Sequence, residues 1–431
     1  MSFPDPLPIQ PLTAPLDAMV QVPGSKSYTN RALLLAALAR GRSTLEGALY
    51  SDDTRHMASG LRALGIEVIE DEPGARFEVS GCDGRIPAEA ASVYVGNSGT
   101  TARFITVMMA LGHGRYEVDG VPRMHERPIH PLLDAISELG GEVECLGREG
   151  CVPLRVLGRG LRGGRVRVPG HLSSQYITGL LLSAPHMRDG LQLEVEGKLV
   201  SRPYLEITRQ AMASFGVQVD CPSAQSFHVA PGQHYRGQHY RVEPDASGAS
   251  YFFAAAAVCG GRVRVEGLGS QSLQGDLGLC QVLERMGCQL EQGTDFTELR
   301  GPRPEDGGLR GIEVDMADLS DVAQTLAVVA PFASTPTRIT GIGFIRRKET
   351  DRIGAMVREL GRLGVRADEE EDGLCIHPGM PRPGAVETYE DHRMAMSFAV
   401  LGLRAPGIEI RDPGCTAKTF PTFWEVLEDL R

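Results

Sequence analysis

The 431-residue chain repeats one pattern six times, and that repetition limits its fold more than any other feature. Segments opening GRSTLEG (41), GRYEVDG (114), GLQLEVEG (190), GRVRVEG (261), TRITG (337) and GIEIRD (407) each begin with an alternating, strand-like stretch. The stretches end near Gly47, Gly120, Gly197, Gly267, Gly341 and Asp412, at spacings of 73, 77, 70, 74 and 71 residues. A polar loop and an amphipathic helix follow each. In the first five, the helix stops at Gly65, Gly140, Gly216, Gly287 or Gly364, a residue suited to the left-handed position after a helix end. Further helices are predicted between these segments at 27–40, 98–111, 174–185, 246–259, 321–334 and 391–404. Each unit therefore reads as β-α-β-α-β-β. A chain of this length exceeds one ordinary core, so six units, three to a domain, are expected in an α/β protein.

The loops between strand and helix are polar in every copy, and functional residues are expected to collect there. They read SDDTRH (51–56), RMHERP (123–128), SRPY (201–204), RRKETDR (346–352) and CTAKTFP (415–421). The helices between units open on GSKSYTNR, GNSGTTAR, LSSQY, DASGASY, LSDVAQT and YEDHRMAM. A repeat scaffold without enzymatic function would spread such charges over solvated helix faces. Here they gather at element starts, where helix N-termini attract anions.

Charge sharpens that reading. The formal net charge is −11, which argues against nucleic-acid or anionic-membrane surfaces. Of 44 basic residues only four are lysine, Lys26, Lys198, Lys348 and Lys418, and three of these lie in the motifs above. Arg-rich chains that retain Lys at such points have a use for a compact amine, although chance accounts equally for any single one. The nine cysteines are scattered, with no C-x-x-C pair and no Cys/His cluster, so neither a disulfide framework nor a structural zinc is expected. No apolar run reaches membrane-span length, and MSFPDPLPIQ carries no secretory pattern. A reduced, cytoplasmic setting is the corresponding expectation.

Taken singly, the motifs leave alternatives open. In PGSKS, Ser25 or Ser27 caps a helix, and Lys26 beside free N–H groups holds an anion or is an exposed charge. No G-x-x-x-x-G-K-[ST] occurs, which removes support for a nucleoside triphosphate site. GNSGTTAR opens a helix with Gly96 and Gly99, which permit close backbone approach. RRKETDR is a site or a solvated charge run; Asp321 is a reactive carboxylate or an N-cap. Six such starts in an acidic chain imply a cleft for more than one anionic group.

Together, PGSKSYTNRALLLAALA, SDDTRHM, GNSGT, PRMHERPI, SSQY, LVSRPY, DASGASYF, KETDR, DHRMAM and CTAKTFP resemble the 5-enolpyruvylshikimate-3-phosphate synthase family, in order and over essentially the whole chain. The resemblance implies a two-domain inside-out α/β barrel, with residues 1–24 and 244–431 in one domain, 25–243 in the other, and the active site in the interdomain cleft. It implies transfer of the enolpyruvyl group of phosphoenolpyruvate to the 5-hydroxyl of shikimate 3-phosphate, in the shikimate pathway, with no metal or organic cofactor. The partners are the two small-molecule substrates, and a monomer is expected. Lys26 is implied to touch both substrates. Ser27, Arg31, Ser173, Ser174, Gln175, Ser201, Tyr204, Asp321 and Lys348 are implied on shikimate 3-phosphate. Asn97, Gly99, Arg123, Gln175, Arg352, Arg393 and Lys418 are implied on phosphoenolpyruvate, whose carboxylate and phosphate suit guanidinium forks.

The implied chemistry protonates C3 of phosphoenolpyruvate and adds the hydroxyl at C2. The tetrahedral intermediate then loses phosphate and a C3 proton. Asp321 matches the family's base for the hydroxyl and Glu349 its proton donor, with Lys348 the alternative proton handler. Two positions depart from the family. Phe344 stands where many members have Asn on shikimate 3-phosphate, and Phe104 stands where Pro is frequent. Gly99, retained, favours sensitivity to the inhibitor glyphosate, while Phe104 pulls the other way. The nearest rival, the enzyme that modifies UDP-N-acetylglucosamine, carries a reactive Cys where this chain reads RMHERP. A ligand-binding scaffold without turnover is the rival of another class.

Overall fold

A computed structural model describes residues 3–302 and 307–431. The chain divides into two compact units, one of Met1–Pro23 with Pro244–Arg431 and one of Gly24–Glu243. It is a mixed α/β protein whose described residues form six small sheets, five of four strands and one of three.

In the Gly24–Glu243 unit the sheets run His239–Arg241, Arg42–Glu46, Arg76–Ser80, Val68–Asp71; then Ala90–Tyr94, Arg115–Asp119, Leu154–Leu157, Glu142–Cys145; then Gly164–Pro169, Leu191–Glu196, Ser226–Val229, Asp220–Ser223. In each, the first pair is parallel and the other two pairings are antiparallel. A parallel pair needs a long crossover, and Gly99–Leu111 and Ser174–Ser183 are the crossover helices of the second and third sheets. In the first sheet the parallel partner comes from His239–Arg241, just before the chain leaves this unit. The other unit is stitched alike, since Leu16–Val20 lies parallel to Gly261–Glu266. Its remaining sheets join Glu313–Asp315, Thr337–Thr340, Gly373–Ile376 and Ala367–Glu370, and Leu7–Pro8, Ile408–Ile410 and Gly384–Val386.

The six helices predicted between repeats are apolar nearly all round, and such helices must be buried. Lys26–Leu38, Gly99–Leu111 and Ser174–Ser183 pack on one another in one core, and Ala246–Cys259, Ala323–Val329 and His392–Arg404 do so in the other. The fifth is shorter than its predicted span, because 3-10 turns at Ser320–Val322 and Ala330–Phe332 replace its ends. The stop glycines Gly65, Gly140, Gly216, Gly287 and Gly364 all have positive φ. Asp412, the non-glycine member of the strand-end series, has φ 44°. No helix among the described residues is long and apolar enough to cross a membrane.

Candidate active site

In the Met1–Pro23/Pro244–Arg431 unit, charged residues from three loops meet around Asp321. This residue lies inside the Ser320–Val322 turn rather than at a helix N-cap. Its carboxylate accepts from Lys348 Nζ, from Arg352 NH1 at 3.3 Å and from Arg393 NH2 at 2.9 Å. Arg352, 1% exposed, also donates to Glu349 Oε2 at 2.8 Å and, through Nε, to Asp391 Oδ2 at 2.7 Å. Asp391 caps the His392–Arg404 helix by accepting from Arg393 N, so one carboxylate sets both arginines. Asp351 caps Arg352–Arg362 through Gly354 N and takes Arg346 on its outer side. RRKETDR thus enters an ion network through Lys348, Glu349 and Arg352, of which Arg352 is buried and the other two partly so, while Arg346, Arg347 and Asp351 keep contact with solvent.

Burial opposes charge on Asp321, but Arg393, Lys348 and Arg352 outweigh it and hold the carboxyl well below its ordinary range. Burial lowers the Lys348 ammonium, Asp321 works against that, and Arg352 reinforces it. Phe344 places its ring 5.7 Å from Lys348 Nζ, so the departure from Asn puts a cation–π contact beside the amine. Lys418 is buried at the end of the Pro413–Lys418 turn, which packs on the His392–Arg404 helix.

In the Gly24–Glu243 unit, helix starts are tied to each other by side chains. Lys26 opens its helix and pairs with Asp53 Oδ2 at 3.1 Å, at the start of Asp52–Ala63. Thr101 Oγ1 donates to Asp53 O at 3.3 Å, and Gln175 Nε2 donates to Thr100 Oγ1 at 3.3 Å. Ser98 and Ser173 cap their helices, accepting from Thr101 N and Gln175 N. Ser25 occupies the N-cap position before Lys26, but its hydroxyl caps nothing and is buried without a hydrogen-bond partner. The first N–H groups of that helix therefore lack a side-chain cap, as an anion site requires. Ser174 and Ser201 are buried nearby in sequence order of the same loops, Ser201 with φ 55° before the Pro203–Ser214 helix that carries Tyr204.

Arg31 is buried among these elements. It donates to Thr208 Oγ1 at 2.9 Å, to Ser27 O at 2.9 Å and to Tyr204 O at 3.2 Å. Its guanidinium lies 5.6 Å from the Phe104 ring and 5.9 Å from that of Tyr204, and burial lowers its pKa to about 10. These contacts make Arg31 a brace for Ser27 and Tyr204, and they give Phe104, fully buried, a place in the same packing.

Sequence reasoning singled out Arg123, but its guanidinium pairs with Glu126 at 2.7 Å and is a third exposed. Arg127, four residues on, is buried and donates to Asn97 O at 2.9 Å and Asn97 Oδ1 at 3.0 Å. A Cβ on Gly99 would stand 2.5 Å from Arg127 NH2, so glycine is what lets the guanidinium lie over this helix start. Asp53, Arg127 and Asp276, the last of which accepts from Ser247 Oγ in the other unit and lies near Asp321, are residues that sequence reasoning missed. Two of them sat in quoted motifs, where the Lys26 and Asn97 neighbours were the available signal.

Comparison with known proteins gives a consistent result. The family model for EPSP synthase (3-phosphoshikimate 1-carboxyvinyltransferase) matches residues 12–427. The 3-phosphoshikimate 1-carboxyvinyltransferase of Trichormus variabilis is 50% identical over 97% of this chain and 98% of its own. The enzyme named 3-phosphoshikimate 1-carboxyvinyltransferase 1, chloroplastic, of Nicotiana tabacum is 43% identical over 99% of this chain and 85% of its own. Among solved structures, the EPSP synthase of Acinetobacter baumannii superposes with a TM-score of 0.81 at 25% identity, covering 98% of this chain and 97% of that one. The enolpyruvyl transferase NikO of Streptomyces tendae shares the fold, with a TM-score of 0.79 at 18% identity over 98% and 96% of the two chains.

Proposed function

Because the chain belongs to the EPSP synthase family, we propose a division of its residues between the two anionic substrates of that reaction. The enzyme transfers the enolpyruvyl group of phosphoenolpyruvate to the 5-hydroxyl of shikimate 3-phosphate and releases phosphate. The observation that carries our reading is the meeting of Lys348, Arg352 and Arg393 on the single carboxylate Asp321. Three cations so placed suit a substrate with both a carboxylate and a phosphate, and Asp321 holds them in place until it binds.

In this proposal Arg123, Arg352, Arg393, Lys418, Asn97 and Gly99 take phosphoenolpyruvate, with Arg127 added beside Asn97. Ser27, Ser173, Ser174, Gln175, Ser201 and Tyr204 take shikimate 3-phosphate, and Lys26 serves both. Asp321 is a weak base while three cations hold its charge. Their transfer to the incoming anion raises its affinity for a proton, and only then does it accept the 5-hydroxyl proton. Glu349, oriented by Arg352, or Lys348, whose ammonium is weakened by burial, delivers the proton to C3. Loss of phosphate and of a C3 proton from the tetrahedral intermediate completes the transfer. We read the six sheets as six copies of one β-α-β-α-β-β unit, three in each inside-out barrel, with Lys26 just beyond the first crossing between domains.

The test is phosphate release from phosphoenolpyruvate with each acceptor in turn. Release with shikimate 3-phosphate supports the reading. Release only with UDP-N-acetylglucosamine transfers the assignment to the sister reaction, and release with neither supports a scaffold.

A further inference from the structure

The central helices of the Gly24–Glu243 unit carry the proposed substrate residues at their N-terminal ends. Beyond the C-terminal ends of two of them, Lys26–Leu38 and Ser174–Ser183, lies a second cluster that the reaction does not use. It gathers Arg40, Asp83, His186 and His234 from four segments far apart in sequence. Asp83, His186 and His234 each offer a donor atom within 4.8 Å of the other two. Among the described residues this is the group of three such side chains close enough to share one ion.

The hydrogen bonds define what the donors can do. Arg40 Nε donates to both carboxylate oxygens of Asp83 at 2.9 Å, and its NH2 lies 2.8 Å from His234 Nε2. A guanidinium has no acceptor, so His234 Nε2 must present its lone pair to Arg40, and the ring proton sits on Nδ1. That Nδ1–H donates to Asp83 Oδ1 at 3.0 Å. Arg40 thus holds the proton on the nitrogen that faces Asp83, and its departure frees Nε2 to take that proton. A cation already occupies the common focus of the carboxylate and the imidazole, and that cation is a side chain that is half exposed.

The surrounding backbone holds the donors in place. Asp83 has φ 52°, and its N–H donates to Ala39 O at 3.1 Å, while Cys82 N donates to Ala37 O at 2.8 Å. Arg40 N donates to Tyr235 O at 2.9 Å, and buried Tyr235 donates its hydroxyl to Leu182 O at 2.9 Å. A Cβ on Gly84 would lie 2.3 Å from His186 Nδ1, so glycine allows the imidazole to rest against this loop. Helix C-terminal ends also favour positive charge.

We propose that Asp83, His186 and His234 form a site for a borderline divalent transition metal such as Zn2+, which Arg40 occupies in competition. Two imidazoles and a carboxylate, without thiolate, are donors suited to Zn2+, Co2+, Ni2+ or Cu2+ rather than to Mg2+. Metal entry breaks the Arg40 contacts to Asp83 and His234 and moves the guanidinium to solvent. With Arg40 gone, the His234 ring proton moves from Nδ1 to Nε2, so the neutral imidazole coordinates through Nδ1, the nitrogen beside Asp83. Ligands on one tetrahedral ion lie roughly 3.3 Å apart, closer than the 4.8 Å limit within which the three donors now lie, so Asp83 and His234, each about one-third exposed, rotate inward as the ion binds. The bound ion ties the Ala184–His186 turn after the Ser174–Ser183 helix, the loop after Arg76–Ser80 and the segment of His234 together.

The test is a Co2+ titration of the full chain, followed by visible absorption, with Zn2+ as competitor. The proposal predicts one saturable site with d–d bands and no thiolate charge-transfer band. Arg40→Gln should tighten it by about tenfold or more, because the competitor is gone. His234→Gln and Asp83→Asn should abolish it while enolpyruvyl transfer is unchanged. Zn2+ should raise the melting temperature of the parent and not of His234→Gln. A thiolate band, binding that survives in His234→Gln, or an Arg40→Gln affinity equal to the parent's would overturn the proposal. Arg40→Gln alters an exposed side chain, so it decides the matter even if the other variants fold poorly.

Discussion

Replacing Asp321 by Asn separates the roles assigned to this carboxylate. The amide keeps the shape but retains one accepting oxygen, and it turns N–H groups toward a cation on the other side. Lys348 and Arg352 lie on the Oδ1 side and Arg393 on the Oδ2 side, so at least one charge-assisted contact becomes a donor facing a donor. Removing one partner from a buried ion cluster costs about 3–5 kcal/mol. For a unit of this size that corresponds to a fall in melting temperature of about 6–20 °C. Phosphoenolpyruvate supplies the missing negative charge, so saturating ligand should recover about 2–3 kcal/mol of the loss. Turnover should fall by about 10²–10⁴-fold for want of the base, while the phosphoenolpyruvate KM stays level or drops, since one competing anion has gone. Thermal unfolding with and without ligand, together with steady-state rates, reads all three. A kcat within about threefold of the parent, or a KM that climbs as kcat falls, would refute the reasoning.

Further predictions concern the other cluster and pH. Lys26→Met should raise the KM for both substrates and lower kcat by about 10²-fold or more; constants equal to the parent's would reduce Lys26 to its structural pairing with Asp53. Gly99→Ala should force Arg127 off Asn97, at a cost of about 1.5–3 kcal/mol for a charged hydrogen bond, and raise the phosphoenolpyruvate KM with little change for shikimate 3-phosphate. An unchanged phosphoenolpyruvate KM would remove Arg127 from that site. Burial, then the Asp321 charge, push the Asp276 carboxyl up to about 6, against the relief given by Arg393 and Ser247. Its pKa is thus higher folded than unfolded. The native state binds the extra proton between pH ~4 and ~6, and stability should fall by up to about 3 kcal/mol as pH rises through that window. Asp276→Asn should flatten that slope in urea unfolding, and an identical slope in the variant would contradict the assignment.

The parts legible in the sequence are those set by local physics. Glycines after helices showed because a left-handed residue is needed there, and the central helices showed because apolar residues surround them. Lys348, Glu349 and Arg352 were visible as a dense charge group. Their burial was not, because it depends on Asp321 and Asp391, which lie 27 residues before Lys348 and 39 after Arg352. Sequence reasoning named Arg123 in RMHERP, and only the turn at Met124–Glu126 reveals that Arg127 of the same loop reaches Asn97. Of the two caps expected, Ser25 or Ser27, Ser25 holds the N-cap position but its hydroxyl caps nothing. Arg31 carried a motif-based role on substrate, and the tertiary contacts of its donors with Thr208 and Tyr204 could not be read from its motif. Asp83, His186 and His234 share no motif at all, being joined only by tertiary packing.

The central claim is an addition–elimination in which phosphoenolpyruvate is protonated at C3 and the same carbon later loses a proton. Turnover in D2O, followed by mass analysis of the product and of recovered phosphoenolpyruvate, tests it most directly. The account predicts deuterium in the enolpyruvyl methylene, dependent on shikimate 3-phosphate and lost with phosphate release in Asp321→Asn. Phosphate release with a product free of deuterium at that carbon would contradict it.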